Sequence, residues 1–196
     1  TGYENLCFML SDCPHIVEAI FENVGKRILK HYEICLDYDS VGFIMCNDDW
    51  GFNTSTLLSH ADLKKYLYPW YIKIALAAHK KGKEVVMHSC GNFNGIYEDL
   101  FNIIRFDGKH SNEDAILPVE KAYKEYHKNI AILGGIDMNF MALQTPDEIY
   151  RRCAQMLEMS AADGSYALGS GNSIPQYVPM RNFVSMIKAA YPEFKL

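Results

Sequence analysis

The stretch KEVVMHSCGN, residues 83–92, runs Val85, Val86 and Met87 together and then stops abruptly at His88, Ser89 and Cys90. An unbroken apolar run of this length suits a strand buried on both faces, as in a parallel sheet. Gly91 lets the chain turn sharply just after it. In extended backbone, residues two apart point the same way, so the His88 imidazole and the Cys90 thiol can reach one ion. The same pair also reads as a histidine held by a carboxylate beside a buried cysteine. Third ligands are at hand in Asp48, Asp49, His110 and Cys46.

Working outward, four more short runs have the same character: SVGFIMC (40–46), IIRFDGK (103–109), NIAILGG (129–135) and SYALGS (165–170). Between them lie helical patterns with recognisable punctuation. Ser59 can cap a helix that ends at Gly82, with Pro69 expected to kink or split it. Thr145-Pro146-Asp147-Glu148 is a capping box with proline at the first helical position, opening a helix that stops at Gly164. Pro179 opens a last helix through about Ala190. Residues 13–38 also read as helical, with Ile16, Ile20, Val24, Ile28 and Leu29 on one face. Strand–helix alternation with right-handed crossovers gives an α/β protein of the (β/α)8 barrel type. About five strands are found where a closed barrel has eight, so the chain, 1–196 as a single domain, is expected to be the C-terminal part of a barrel.

Composition narrows the function classes. Of 196 residues, 49% are hydrophobic and 22% charged, ample material for a core, and the formal net charge of −5 argues against a nucleic-acid partner. No apolar run approaches the ~18 residues of a membrane span. The six cysteines show no CxxC pairs, and most read as buried thiols of a cytoplasmic protein, Cys90 alone having a suggestive neighbourhood.

Each candidate strand delivers polar groups at its C-terminal tip, the end at which barrel enzymes gather their working residues. The first gives Asp48, Asp49 and Trp50; the second His88 and Cys90; the third Lys109 and His110, with Glu113 and Asp114 just beyond. The fourth gives Asp137 after Gly134-Gly135, and the fifth Ser170 and Asn172 between glycines. Adjacent carboxylates beside an indole can hold a proton, a metal, or a substrate amine or pyrrole N–H. Read without chemistry, Asp48-Asp49 is a loop and cap pair, Asp137 caps the next helix, and the LGSGNSIP loop is a tight turn. From the strand tips we take Asp48, Asp49, His110 and Asp137 as candidate catalytic groups. Trp50, Lys109, Ser170 and Asn172 are candidate substrate contacts, and His88 and Cys90 candidate metal ligands.

The ordered segments NDDWGFNTSTLLS…YPWY, HSCGN, ILGGID…TPDEI and YALGSGNSIP…P…NF resemble the uroporphyrinogen decarboxylase superfamily from about residue 40 onward. That superfamily includes zinc-dependent methyltransferases of corrinoid-linked methyl metabolism. The resemblance implies a (β/α)8 barrel whose N-terminal part lies outside this sequence. In the methyltransferase branch it implies zinc on an HxC pair, matched by His88 and Cys90, with a further cysteine on the last glycine-rich loop. Ser170 stands at that place, so Asp48, Asp49 or His110 would have to complete the site. In the decarboxylase branch the corresponding position is a histidine and the HxC pair is absent. The methyltransferase reading thus expects a small-molecule thiol, zinc, and a corrinoid carried by a partner protein. The alternatives are cofactor-free decarboxylation of uroporphyrinogen and a non-catalytic barrel module that binds a corrinoid partner or a second copy through its open sheet edge.

Overall fold

The computed structural model describes residues 2–194. Five strands, β1 (Phe43–Asn47), β2 (Glu84–His88), β3 (Gly108–His110), β4 (Ala131–Leu133) and β5 (Tyr166–Ala167), alternate with helices. They follow one another in the sheet in chain order. This is the strand–helix succession of a partial (β/α)8 barrel, the α/β class expected from the sequence. The chain divides into two compact units, Thr1–Met87 with Asn92–Asp107, and His88–Gly91 with Gly108–Leu196.

In the first unit, β1 and β2 are accompanied by α1 (Tyr3–Asp12), α2 (Pro14–Leu36), α3 (His60–Asp62) and α4 (Tyr68–Lys80). Val85, Val86 and Met87 are all buried, so the central run of β2 is enclosed on both faces as its unbroken apolar pattern requires. Ser59 caps α3 by accepting from the Asp62 amide at 3.1 Å. Pro69 does not kink a continuous helix. A π-helical turn (Leu63–Leu67) precedes α4, and the proline falls in the first turn of α4, where its missing N–H costs nothing. Gly82 closes the segment at φ 66°.

The isoleucine face of α2 points outward: Ile16, Ile20, Val24 and Ile28 are exposed, whereas Val17, Gly25 and Leu36 are buried and Phe21 stacks on Tyr66 at 5.2 Å. The cause is Gly25, against which the Trp70 indole of α4 packs so closely that a Cβ would fall inside the ring. That contact turns the helix so that the Val17–Phe21–Gly25 row faces inward. The expected third strand also starts late. Leu100–Ile104 form a π-helical turn closed by Arg105 in the left-handed region (φ 70°). Leu100 and Ile104, four apart and both buried, follow a helical period that a short apolar run conceals.

In the second unit β3, β4 and β5 are parallel, with Gly108 opposite Ala131, His110 opposite Leu133, and Ile132 opposite Tyr166. Ile130, Ile132 and Ile136 are buried with Val119, Ala122 and Tyr123 of α5 (Val119–Tyr126) and Ile149, Cys153 and Met156 of α7 (Pro146–Ser160). The capping box of α7 forms as expected, Thr145 Oγ1 accepting from the Glu148 amide and Glu148 from the Thr145 amide. The helix ends at Ser160, four residues short of Gly164. The buried Asn182 of α8 (Met180–Ala190) donates to the Met141 and Gln144 carbonyls at 2.8 and 3.0 Å, tying it to α6 (Met138–Leu143). Across the chain, the cysteines depart from the expected buried set. Cys46 and Cys153 are enclosed, Cys7 is exposed, and Cys13 and Cys35 are only half-buried.

Candidate metal centre

The tips of β2, β3 and β5 carry the polar groups of the second unit. His88 ends β2, and Gly91 at φ 90° turns the chain immediately after Cys90. The Gly91 amide donates to Glu113 Oε1 at 3.0 Å, anchoring that turn. Cys90 Sγ accepts from Ser111 Oγ at 3.4 Å and from Asn172 Nδ2 at 3.2 Å. Donors aimed at a sulfur favour its anionic form, the form that binds a metal or attacks an electrophile.

His110, at the end of β3, stacks on His88 with ring centroids 4.9 Å apart, their Nδ1 atoms 2.6 Å from each other. Burial holds His110 down to about 4, helped by the charges of His88 and Lys109 and opposed by a hydrogen bond to the Ser170 backbone. The ring is therefore neutral at physiological pH. Lys109 is almost fully enclosed, and its ammonium donates to the carbonyls of Ser89, His110 and Ser111 at 2.7–2.8 Å. This one cation fastens the loop carrying Cys90 to the loop carrying Ser111. Taken for a substrate contact in the sequence, Lys109 is placed as an internal clamp.

Asp137 has both oxygens engaged. Oδ1 caps α6 through the Asn139 and Phe140 amides, while Oδ2 accepts from the Asp114 amide at 3.0 Å. Ser170 Oγ donates to the Asn172 carbonyl at 2.6 Å, and Asn172 Oδ1 accepts from the Ser173 amide. The last loop thus aims one amide at Cys90 rather than supplying a third sulfur.

The first unit holds the carboxylates. Asp48 Oδ2 accepts from the Trp50 indole at 2.9 Å and the Tyr71 hydroxyl at 2.8 Å. Burial, and next the Asp48 charge, drive the Tyr71 hydroxyl far above its ordinary value, so it remains a donor. Trp50 is buried among Tyr68, Tyr71 and Phe93. Asp48, Asp49, Trp50 and Tyr71 lie on the wall of a largely apolar cavity of about 710 Å³ that is also lined by α1 and α2. Asp49 is exposed, and its carbonyl accepts from the Tyr3 hydroxyl at 3.3 Å.

Within the second unit His88 and Cys90 are the candidate metal ligands, a nitrogen and a sulfur donor of the kinds that zinc accepts. Sequence reading missed Ser111 and Tyr71. Ser111 follows directly on Lys109-His110 at a strand tip, a position that could have signalled it. Tyr71, in an aromatic run, carries no local signal beyond core packing.

The model of the uroporphyrinogen decarboxylase (URO-D) family matches residues 1–192. Among solved structures, a methyltransferase from Methanosarcina mazei superposes with a TM-score of 0.76 at 17% identity, over 96% of this chain and 53% of its own. At that identity the likeness speaks for the fold, and the chain spans about half the length of that structure. No curated protein matches the sequence.

Proposed function

We propose that this chain, which belongs to the uroporphyrinogen decarboxylase (URO-D) family, serves metal-assisted methyl transfer between a corrinoid carrier and a thiol. The observation that carries this reading is the Cys90 sulfur, at one strand tip with His88 and held by the Ser111 and Asn172 donors. A decarboxylation that needs only a carboxylate beside a protonated pyrrole has no use for a sulfur kept in this way. The likeness to a methyltransferase of known structure supports the same direction.

In this reading His88 and Cys90 would hold a zinc ion, with Ser170 in the place of a third sulfur. A bound zinc supplies Lewis acidity that lowers the pKa of a substrate thiol and keeps it anionic. The chain's own residues do the rest. Ser111 and Asn172 orient Cys90, His110 backs His88, Lys109 fixes both loops, and the apolar cavity beside Asp48 excludes water. The corrinoid arrives on a partner protein.

The second reading is decarboxylation of uroporphyrinogen, favoured by the carboxylate of Asp48 on the wall of an apolar cavity large enough for a substrate. Purified protein separates the two. Methyl transfer predicts about one equivalent of bound zinc, lost in His88→Ala and Cys90→Ser, and demethylation of methylcobalamin in the presence of a thiol. Metal-free wild type that releases carbon dioxide from uroporphyrinogen would establish the other reading. Cobalamin capture without turnover would mark a binding module.

A further inference from the structure

The cavity of the first unit, at about 710 Å³, has the size of a small-molecule site. Its walls are apolar and aromatic, with Leu6, Phe21, Trp50, Tyr66, Trp70 and Ile74 among them. Of the charged or ionisable groups on the wall, Asp48 is half-buried, whereas Asp49, Arg27 and His31 are exposed and belong to the rim. Asp48 is held from one side. The Trp50 indole and the Tyr71 hydroxyl both donate to Oδ2. Among the described residues Oδ1 accepts from no donor, and no cationic side chain pairs with the carboxylate. Two neutral donors fix an anion without cancelling its charge, and a carboxylate on an apolar wall is costly until a positive charge joins it.

The cations nearby do not meet that need. Lys73 lies 4.1 Å over the Trp70 ring and Lys65 4.6 Å over the Tyr66 ring, and both, like Arg27, are exposed and screened by water and salt. The two contacts do show that aromatic rings of this wall attract ammonium groups. We propose that the cavity is a binding site for an organic cation, an amine or quaternary ammonium ion carrying an apolar body. The positive head supplies the countercharge of Asp48, which Trp50 and Tyr71 hold in place, and the apolar body replaces water against the rings and aliphatic side chains. The site goes beyond the metal reading, since it needs no ion at His88 and Cys90. It also differs from the decarboxylation reading, whose substrate carries carboxylates that Asp48 repels.

Calorimetric titration of the metal-free protein at neutral pH with three probes of similar shape tests the proposal: naphthylmethylamine, naphthylmethanol and naphthoate. The protonated amine is expected to bind about 10-fold or more tighter than the alcohol, and the acid most weakly. Asp48→Asn keeps an oxygen for Trp50 and Tyr71 but removes the charge, so amine and alcohol should then agree within about threefold. Leu6→Trp fills part of the cavity and should weaken both. Equal affinities of amine and alcohol in wild type, tighter binding of the acid, or no binding of any probe at millimolar concentration overturns the proposal, whether or not the variants fold. An amine preference that survives Asp48→Asn, or undiminished binding in Leu6→Trp, places the probes elsewhere and overturns it too.

Discussion

The two strand-tip clusters use polar groups in opposite ways. In the first unit Asp48 is gripped by a buried indole and a buried phenol on the wall of an apolar cavity. In the second, Cys90 and His88 are surrounded by small donors and acceptors: a serine, an asparagine, an imidazole and several carbonyls. Large aromatic donors fix one carboxylate oxygen and exclude water around it. Small polar groups tune charge and leave ligand atoms accessible. The first cluster shapes a cavity; under the proposed function the second would hold an ion.

Removing the sulfur breaks this contrast most severely. Cys90→Ser is expected to weaken zinc binding by 100-fold or more, since a neutral hydroxyl replaces an anionic ligand, whereas Asp48→Asn changes it by less than about threefold. Chelator competition measures both. Comparable losses in the two variants would erase the distinction between the clusters. Next in size is Lys109→Met, which leaves the Ser89, His110 and Ser111 carbonyls without their ammonium. Urea unfolding is expected to show a loss of about 3 kcal/mol.

The strand tips that carry this contrast were legible because β2 reads as an unbroken apolar run and its tip as polar residues two apart. The same reading located His110, Ser170 and Asn172 at their loops. It could not assign their partners: Asn172 reaches Cys90 from 82 positions away, and only the folded backbone brings the Ser170 carbonyl to His110. Which face of α2 turns inward was not legible, because a glycine in a helical pattern counts as a gap, although Gly25 is where the Trp70 ring packs against the helix. Ile103 and Ile104 were read into the third strand because a short apolar run satisfies either period.

His110 sharpens the comparison through pH. Its folded value lies near 4, below its ordinary 6.5, so between those values the unfolded chain binds a proton that the folded chain refuses. The metal-free protein should therefore lose stability as pH falls from about 6.5 to about 4, by an amount on the order of 2 kcal/mol because the ring is only partly screened from water. His110→Asn should flatten that part of the stability–pH curve. A curve of unchanged slope would show that another group supplies it. On the aromatic side, Tyr71→Phe deletes one donor to Asp48 and should cost about 1 kcal/mol with little pH dependence over the same window.

The smallest effect is expected at Ile20 on α2 and tests whether the outer face of that helix has a partner. Val17 is enclosed and Ile20 exposed on the same helix. Val17→Ala should cost about 2 kcal/mol through the cavity it leaves, whereas Ile20→Gln should fall within about 0.5 kcal/mol of wild type in urea. The pair isolates position from residue type, because both residues are β-branched and lie one turn apart. Parity between the two losses would mean that the isoleucine row is covered in solution, and the inward rotation imposed by Gly25 would no longer explain the exposed stripe.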